Sequence, residues 1–162
     1  MRIIGPVIIL MLFLTSCKQT TAIPFDITVF PKEWVRLTEN NGKLIIYNSC
    51  DGGNLLLTIK KKGENFGLLL HGQQEDYDYE ILESTQLGDT IFIKAKWTDS
   101  ETKQDFKFFW TNKENGIGRW ITTHFDEILV LADRQNDFEK VEQPCRECWG
   151  DECDEIEKAG KP

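Results

Sequence analysis

Five cysteines and two histidines carry most of the reactive chemistry of this 162-residue chain. Cys145, Cys148 and Cys153 fall together as C-x2-C-x4-C, while Cys17 and Cys50 stand apart. Cys145-Arg146-Glu147-Cys148 has the spacing of a thiol–disulfide redox motif, in which a helix N-terminus lowers the pKa of the first thiol. Here Pro144 precedes the motif, no strand–helix–strand pattern surrounds it, and the Glu147 carboxylate between the thiols opposes thiolate formation. Redox catalysis through Cys145 and Cys148 is therefore a secondary reading. Cys50 with the three C-terminal thiols could instead hold Zn²⁺ tetrahedrally. A Ser-His-Asp or Cys-His catalyst would need His71 or His124. Neither lies in a nucleophile motif, and no G-x-S-x-G occurs. Both histidines read as strand-end surface residues. Glu75, Asp76, Asp78 and Glu80 form an acidic run that lacks the turn glycine and ligand offsets of a calcium loop. The expectation is no catalytic residue, no bound metal and no cofactor.

The elements that would position these groups read as strands. Tyr77, Tyr79 and Ile81 alternate with Asp76, Asp78 and Glu80, a period of two that gives one wet face and one dry face. Ile91, Ile93, Ala95 and Trp97 alternate in the same way, as do Phe106, Phe108 and Trp110. Before them come apolar runs at Trp34–Thr38, Lys43–Ser49, Asn54–Lys60 and Phe66–Gly72, and after them Ile117–Thr122 and Phe125–Ala132. The breaks between them hold turn formers such as Asn40-Asn41-Gly42 and Asp51-Gly52-Gly53. Lys60-Lys61-Lys62 reads as a solvated hairpin turn. About nine strands with no helical pattern between them predict an all-β fold, an antiparallel lipocalin-like meander barrel, with a β-sandwich as the alternative. Tyr77, Tyr79, Trp97, Phe106, Phe108 and Trp110 would face inward. Asp133 to Glu142 reads as a short helix with Phe138 and Val141 on one side. The predicted organisation is residues 1–16 as a signal, 17–24 as an N-terminal tether, 25–142 as the barrel and 143–162 as a Cys-rich acidic tail.

The N-terminus carries an address. Arg2 is followed by an apolar run from Ile3 to Leu14, broken only by Gly5 and Pro6. Twelve residues are too few to span a bilayer, which takes about 20, but they fit the apolar region of a secretory signal. The run ends in Leu14-Thr15-Ser16-Cys17, which resembles the lipobox of bacterial lipoproteins: an aliphatic residue, two small ones and Cys. The resemblance implies that Cys17 receives diacylglycerol and becomes the mature N-terminus. It further implies an outer-membrane lipoprotein, because position 18 is Lys and not the Asp that retains lipoproteins at the inner membrane in enterobacteria-like systems. The four residues after Cys17 hold no acid of the kind that marks surface export in some Bacteroidetes, which favours a periplasm-facing domain.

With Cys17 acylated, Cys50, Cys145, Cys148 and Cys153 remain for disulfides in an oxidising compartment, and four cysteines allow three connectivities. A bond from Cys50 to the tail would close a loop of roughly 95 residues, worth about 4–5 kcal/mol in the chain-entropy model, and the remaining two tail cysteines would pair locally. Export also disfavours the zinc reading. The mature chain has 146 residues (162 less 16), and without Arg2 its 18 bases face 27 acids, a net charge of −9. That balance excludes a phosphate-backbone partner and adsorption to anionic lipid, so the acyl group must do the anchoring. A second resemblance is carried by Tyr47-Asn48-Ser49-Cys50-Asp51-Gly52-Gly53 and by the strand Phe108-Phe109-Trp110, which look like parts of the membrane-bound C-type lysozyme inhibitors. It implies a small exported barrel meeting a basic hydrolase. The inhibitory Ser-Gly loop of that family is absent, so no inhibitory residue carries over. Together these features predict a lipid-anchored, non-enzymatic binding domain. Its partner would be a small apolar molecule inside the barrel or an envelope protein at its rim.

Overall fold

Alternation of apolar and polar side chains builds the strands, and tight turns order them. The computed structural model describes residues 21–48, 55–72 and 75–143. Eleven strands appear among them: β1 (Ile23–Pro24), β2 (Glu33–Asn40), β3 (Lys43–Asn48), β4 (Leu55–Lys62), β5 (Asn65–His71), β6 (Asp76–Leu87), β7 (Thr90–Trp97), β8 (Lys103–Asn112), β9 (Ile117–Ile121), β10 (Asp126–Leu131) and β11 (Glu139–Glu142). Asn41 and Gly42 both have positive φ (52° and 77°), the mirror-image turn whose twist matches the strands it joins.

From β4 to β10 each strand pairs antiparallel with the next, and β10 returns to β2, which also pairs with β4. The result is an eight-stranded closed antiparallel barrel, as the strand pattern predicts. β2 serves three neighbours: Glu33–Val35 pair with β4, Trp34–Leu37 with β10, and Thr38–Asn40 with β3.

Three features depart from a simple meander. β3 is an excursion from β2. β11 joins β3 in parallel, Glu139 opposite Ile45 and Glu142 opposite Asn48, where a short helix was expected. Only Ala132–Asp137 turn helically, as a 3-10 segment, and the chain then extends. Phe138 packs with Leu44 against Val35, Leu37, Ile46, Ile117 and Val130, a second core outside the barrel wall, and this burial accounts for the extension. Lys43 bonds Glu139 and Asn48 donates to Glu142 at 2.6 Å, which fixes the register. Finally, the short β1 pairs with the far half of β6.

β6 is long enough for this because of a bulge. Ile81 faces Ala95 and Glu83 faces Lys94, so Leu82 is the extra residue. Tyr77, Tyr79 and Ile81 face inward before the bulge, and Ser84 and Gln86 after it. Phe25 N–H donates to Ser84 O at 2.9 Å, and Ser84 Oγ donates to Phe25 O at 2.7 Å. These bonds stitch the segment before β2 onto β6.

That segment fills one end of the barrel. Ile27, in a 3-10 turn capped by the Asp26 carboxylate, is buried, and Phe30 lies among the interior rings. Phe30 meets Phe108 edge-on at 4.8 Å, stacks on Trp34 at 5.8 Å and meets Trp120 edge-on at 5.7 Å. Trp34, Phe106, Phe108 and Trp120 are essentially inaccessible, with Leu57, Ile59, Leu68, Ile93 and Leu129 packed around them. Of the six aromatics expected inside, Phe106 and Phe108 lie deep, while Tyr79 and Trp110 are half-buried against them. Tyr77 and Trp97 pair with each other at 6.2 Å, both half-buried. The side chains that dominate the interior besides Phe106 and Phe108 are Trp34, Trp120 and Phe30.

Candidate functional site

Cys17, Cys50, Cys145, Cys148 and Cys153 all lie outside the described residues. The other candidates are in view. The outer face of β4, β5 and β6 aligns Thr58, His71 and Asp76. Thr58 Oγ1 and His71 Nε2 are 3.1 Å apart, and His71 Nδ1 and Asp76 Oδ1 are 3.2 Å apart. The order hydroxyl, imidazole, carboxylate copies that of a hydrolase triad. Its setting does not. Thr58 is mid-strand between Glu33 on β2 and Leu69 on β5, so the backbone N–H groups around it lie in the sheet plane, bonding neighbouring strands. They do not converge on the face where an oxyanion would form. The chain of bonds ties three adjacent strands across their wet face, a cross-strand polar ladder.

The acidic run is likewise matched with partners. Lys62 and Lys60 reach Asp78 Oδ2 at 2.9 and 3.5 Å, so these lysines lie on the strand face instead of forming a loose turn. Asn65 Nδ2 donates to Glu80 at 3.0 Å, and Tyr77 Oη donates to Glu75 at 2.6 Å. That bond and the Glu75 charge hold the Tyr77 phenol above its ordinary pKa. Burial does the same to Tyr79. Among the described residues no three His, Asp, Glu or Cys side chains converge as a metal site would require. His124 is exposed in the turn between β9 and β10, as expected.

Arg119 and Asp126 form the closest ion pair of the barrel's outer wall, Nε to Oδ1 at 2.6 Å and Nη2 to Oδ2 at 2.7 Å. The Arg119 hydrogen bonds hold the Asp126 carboxyl below the usual carboxylate range. A depressed folded-state pKa adds stability above the unfolded value of about 3.9, and that stability is lost as pH falls through the lower folded value. Arg119→Gln is therefore expected to raise the Asp126 midpoint in an NMR titration toward that of free aspartate. An unmoved midpoint would refute the assignment. Because both side chains are about half exposed, the effect on overall stability is small.

Around Phe30 the barrel interior is packed ring against ring. Two buried polar atoms among the described residues have no hydrogen-bond partner, Trp120 Nε1, enclosed by the interior rings, and Asp78 Oδ1 on the outer wall. At the other end of the barrel, the buried Gln104 amide reaches Thr123 Oγ1 at 3.1 Å beside half-buried Phe125.

The most distinctive surface is the end where the chain enters. The exposed large hydrophobics of the described residues are Ile23, Val29, Leu82, Leu87 and Phe92. All five belong to the entering segment or to the β6–β7 hairpin beside it. A shallow groove of about 220 Å³ opens there, between Ile27, Phe66 and the bulged Leu82, with Glu64 and Glu83 at its edges. Sequence reading missed this cluster because its members lie far apart along the chain. The pairing of Ile23 with Gln86 and of Thr85 with Phe92 brings Ile23, on the inner side of the sheet, and Leu87 and Phe92, on its outer side, to the same end of the barrel. Comparison with family models, curated proteins and solved structures returns no match.

Proposed function

We propose that this chain is a lipid-anchored envelope lipoprotein of the outer membrane, facing the periplasm. In this reading its barrel is a non-enzymatic scaffold that recognises another envelope protein by its outer surface. The observation that carries the reading is the filling of the interior by the protein's own rings, above all Phe30 against Trp34, Phe108 and Trp120. Ligand pockets are typically ~300–1,000 Å³ and largely pre-formed. A barrel packed in this way leaves recognition to its surface. The polar constellations of the outer wall are consumed in cross-strand pairs, which fits a scaffold better than a catalyst.

The anchor follows from Leu14-Thr15-Ser16-Cys17. No helix among the described residues is long and apolar enough to cross a membrane. In the oxidising compartment this address implies, Cys50, Cys145, Cys148 and Cys153 would pair as disulfides. Cys17→Ser is expected to move the protein from the membrane fraction to the soluble fraction, with unchanged near-ultraviolet circular dichroism. Retention of Cys17→Ser in membranes washed with high salt would count against the acyl anchor.

A further inference from the structure

Resting on the acyl anchor at Cys17, we propose that the end of the barrel where the chain enters lies against the bilayer, with Val29, Leu87 and Phe92 set into the zwitterionic headgroup region. Five residues separate Cys17 from Ile23, and the six steps reach about 20 Å even when fully extended. β6 alone, with twelve residues, runs about 40 Å. A strand tilt of about 35–45° reduces that to roughly 30 Å along the barrel axis, still more than the tether reaches, so an anchored protein keeps its entry end nearest the membrane.

That end is also where its apolar side chains are exposed. Val29 is 74 % exposed and Ile23 is 58 % exposed. On the outer face of β6 and β7, Thr85 stands opposite Phe92 and Leu87 opposite Thr90, which places Leu87 and Phe92 diagonally across the hairpin. Phe109 continues the row on β8. Lys107 Nζ lies 5.7 Å from the Phe109 ring centroid, and Lys94 bonds Glu83. Such long bases can keep their stems against apolar surface while their heads remain at headgroup level. Asp89, in the turn between Leu87 and Thr90, and Glu64 at the groove set this surface against anionic lipid, so the matching membrane is zwitterionic. An isolated apolar cluster of this kind is a docking surface in search of cover. The bilayer is the one occupant that the tether holds within reach.

The test uses the mature chain with Ser in place of Cys17, its N-terminus oxidised to an aldehyde and joined as an oxime to an aminooxy lipid in phosphatidylcholine nanodiscs, which keeps the tether at its natural length. Its outcome does not depend on whether Cys17 is acylated in the cell, so failure here and failure of the anchor reading are separate results. Gadolinium-bearing headgroups, compared with lutetium-bearing ones, should abolish the methyl signals of Ile23, Val29 and Leu87. Those of Thr98 and Thr123, at the opposite end, should be spared. In the parent the methyls of Thr85 and Thr90, opposite Phe92 and Leu87, should broaden as well. In Val29→Ser/Leu87→Ser/Phe92→Ser that broadening should fall toward the level of Thr98, while Ile23, held by the tether, stays broadened. Uniform broadening, or broadening strongest at Thr98 and Thr123, would overturn the proposal. So would broadening at Thr85 and Thr90 that survives the triple substitution undiminished, or concentration-dependent shifts of the parent's Val29 and Leu87 methyls without lipid, which would assign the face to a second copy.

Discussion

Phe30→Ala should destabilise the protein by about 3–5 kcal/mol, the range for truncating a buried phenylalanine. Against a typical total of about 5–15 kcal/mol, that is a large share. Phe30 is 4 % exposed, and its ring touches Phe25, Trp34, Phe108 and Trp120. The cost comes from two sources. The removed atoms lose their transfer free energy, and the four surrounding rings cannot collapse into the void because each is held on a separate element. Urea unfolding followed by tryptophan fluorescence would read the loss as a lower midpoint with an unchanged slope. A second consequence follows from the same packing. The hole left by Phe30 is apolar and lined by aromatic faces, so it should admit benzene or xenon, as dry engineered cavities do. The parent protein should bind neither. A substitution costing less than about 1 kcal/mol would show that Phe30 is peripheral, because surface substitutions typically fall within ±0.5 kcal/mol.

Gly118→Ala should be harmful for the opposite reason. A methyl group at position 118 would lie 2.2 Å from Phe108 Cε2 and 2.7 Å from Cζ. Phe108 cannot withdraw, because Phe30, Trp34, Trp110 and Trp120 surround it at centroid distances of 4.8 to 5.2 Å. Overpacking of this kind costs about 1–3 kcal/mol, and the closeness of the contact places Gly118→Ala at the top of that range. Phe108→Leu removes the clashing ring atoms and is destabilising alone through the volume it loses. The double variant Gly118→Ala/Phe108→Leu should therefore lose less than the sum of the single losses, with a coupling of about 0.5–3 kcal/mol. Strict additivity would mean that the two residues do not share a space.

The sequence displays most of this architecture plainly, because alternation and turn chemistry are local signals. The nine strands read from periodicity all exist, and the Asn41-Gly42 turn has the backbone that its residues demand. What was not legible depends on tertiary partners. Ile23-Pro24 is too short to show a period and becomes a strand only through β6. Glu139–Glu142 contains one apolar residue, and the three-residue spacing of Phe138 and Val141 imitates a helix. Its strand geometry comes from β3, about ninety positions away in sequence. Leu82 breaks the alternation of β6, so the period ends at Ile81 although the strand continues to Leu87. Trp34 and Trp120 escaped the list of inward aromatics because each is a lone ring in its strand, whereas Phe106, Phe108 and Trp110 announce themselves as a series. His71 ends β5 on the outer face, partly exposed, and its bonds to Thr58 and Asp76 depend on strand register, which composition does not reveal. The cysteines, the strongest chemical signal in the chain, lie outside the described residues, so their pairing stands as a proposal.

The proposed acyl anchor and the ring-packed interior around Phe30 can both be read in one mass. The most direct measurement is the mass of the mature protein extracted from membranes in mild detergent, taken first under native and then under denaturing, non-reducing conditions. The expected polypeptide begins at an acylated Cys17, lacks Met1 to Ser16, and carries no small molecule retained natively and released on denaturation. A mass that includes Met1 to Ser16, or a stoichiometric apolar ligand lost on unfolding, would contradict it.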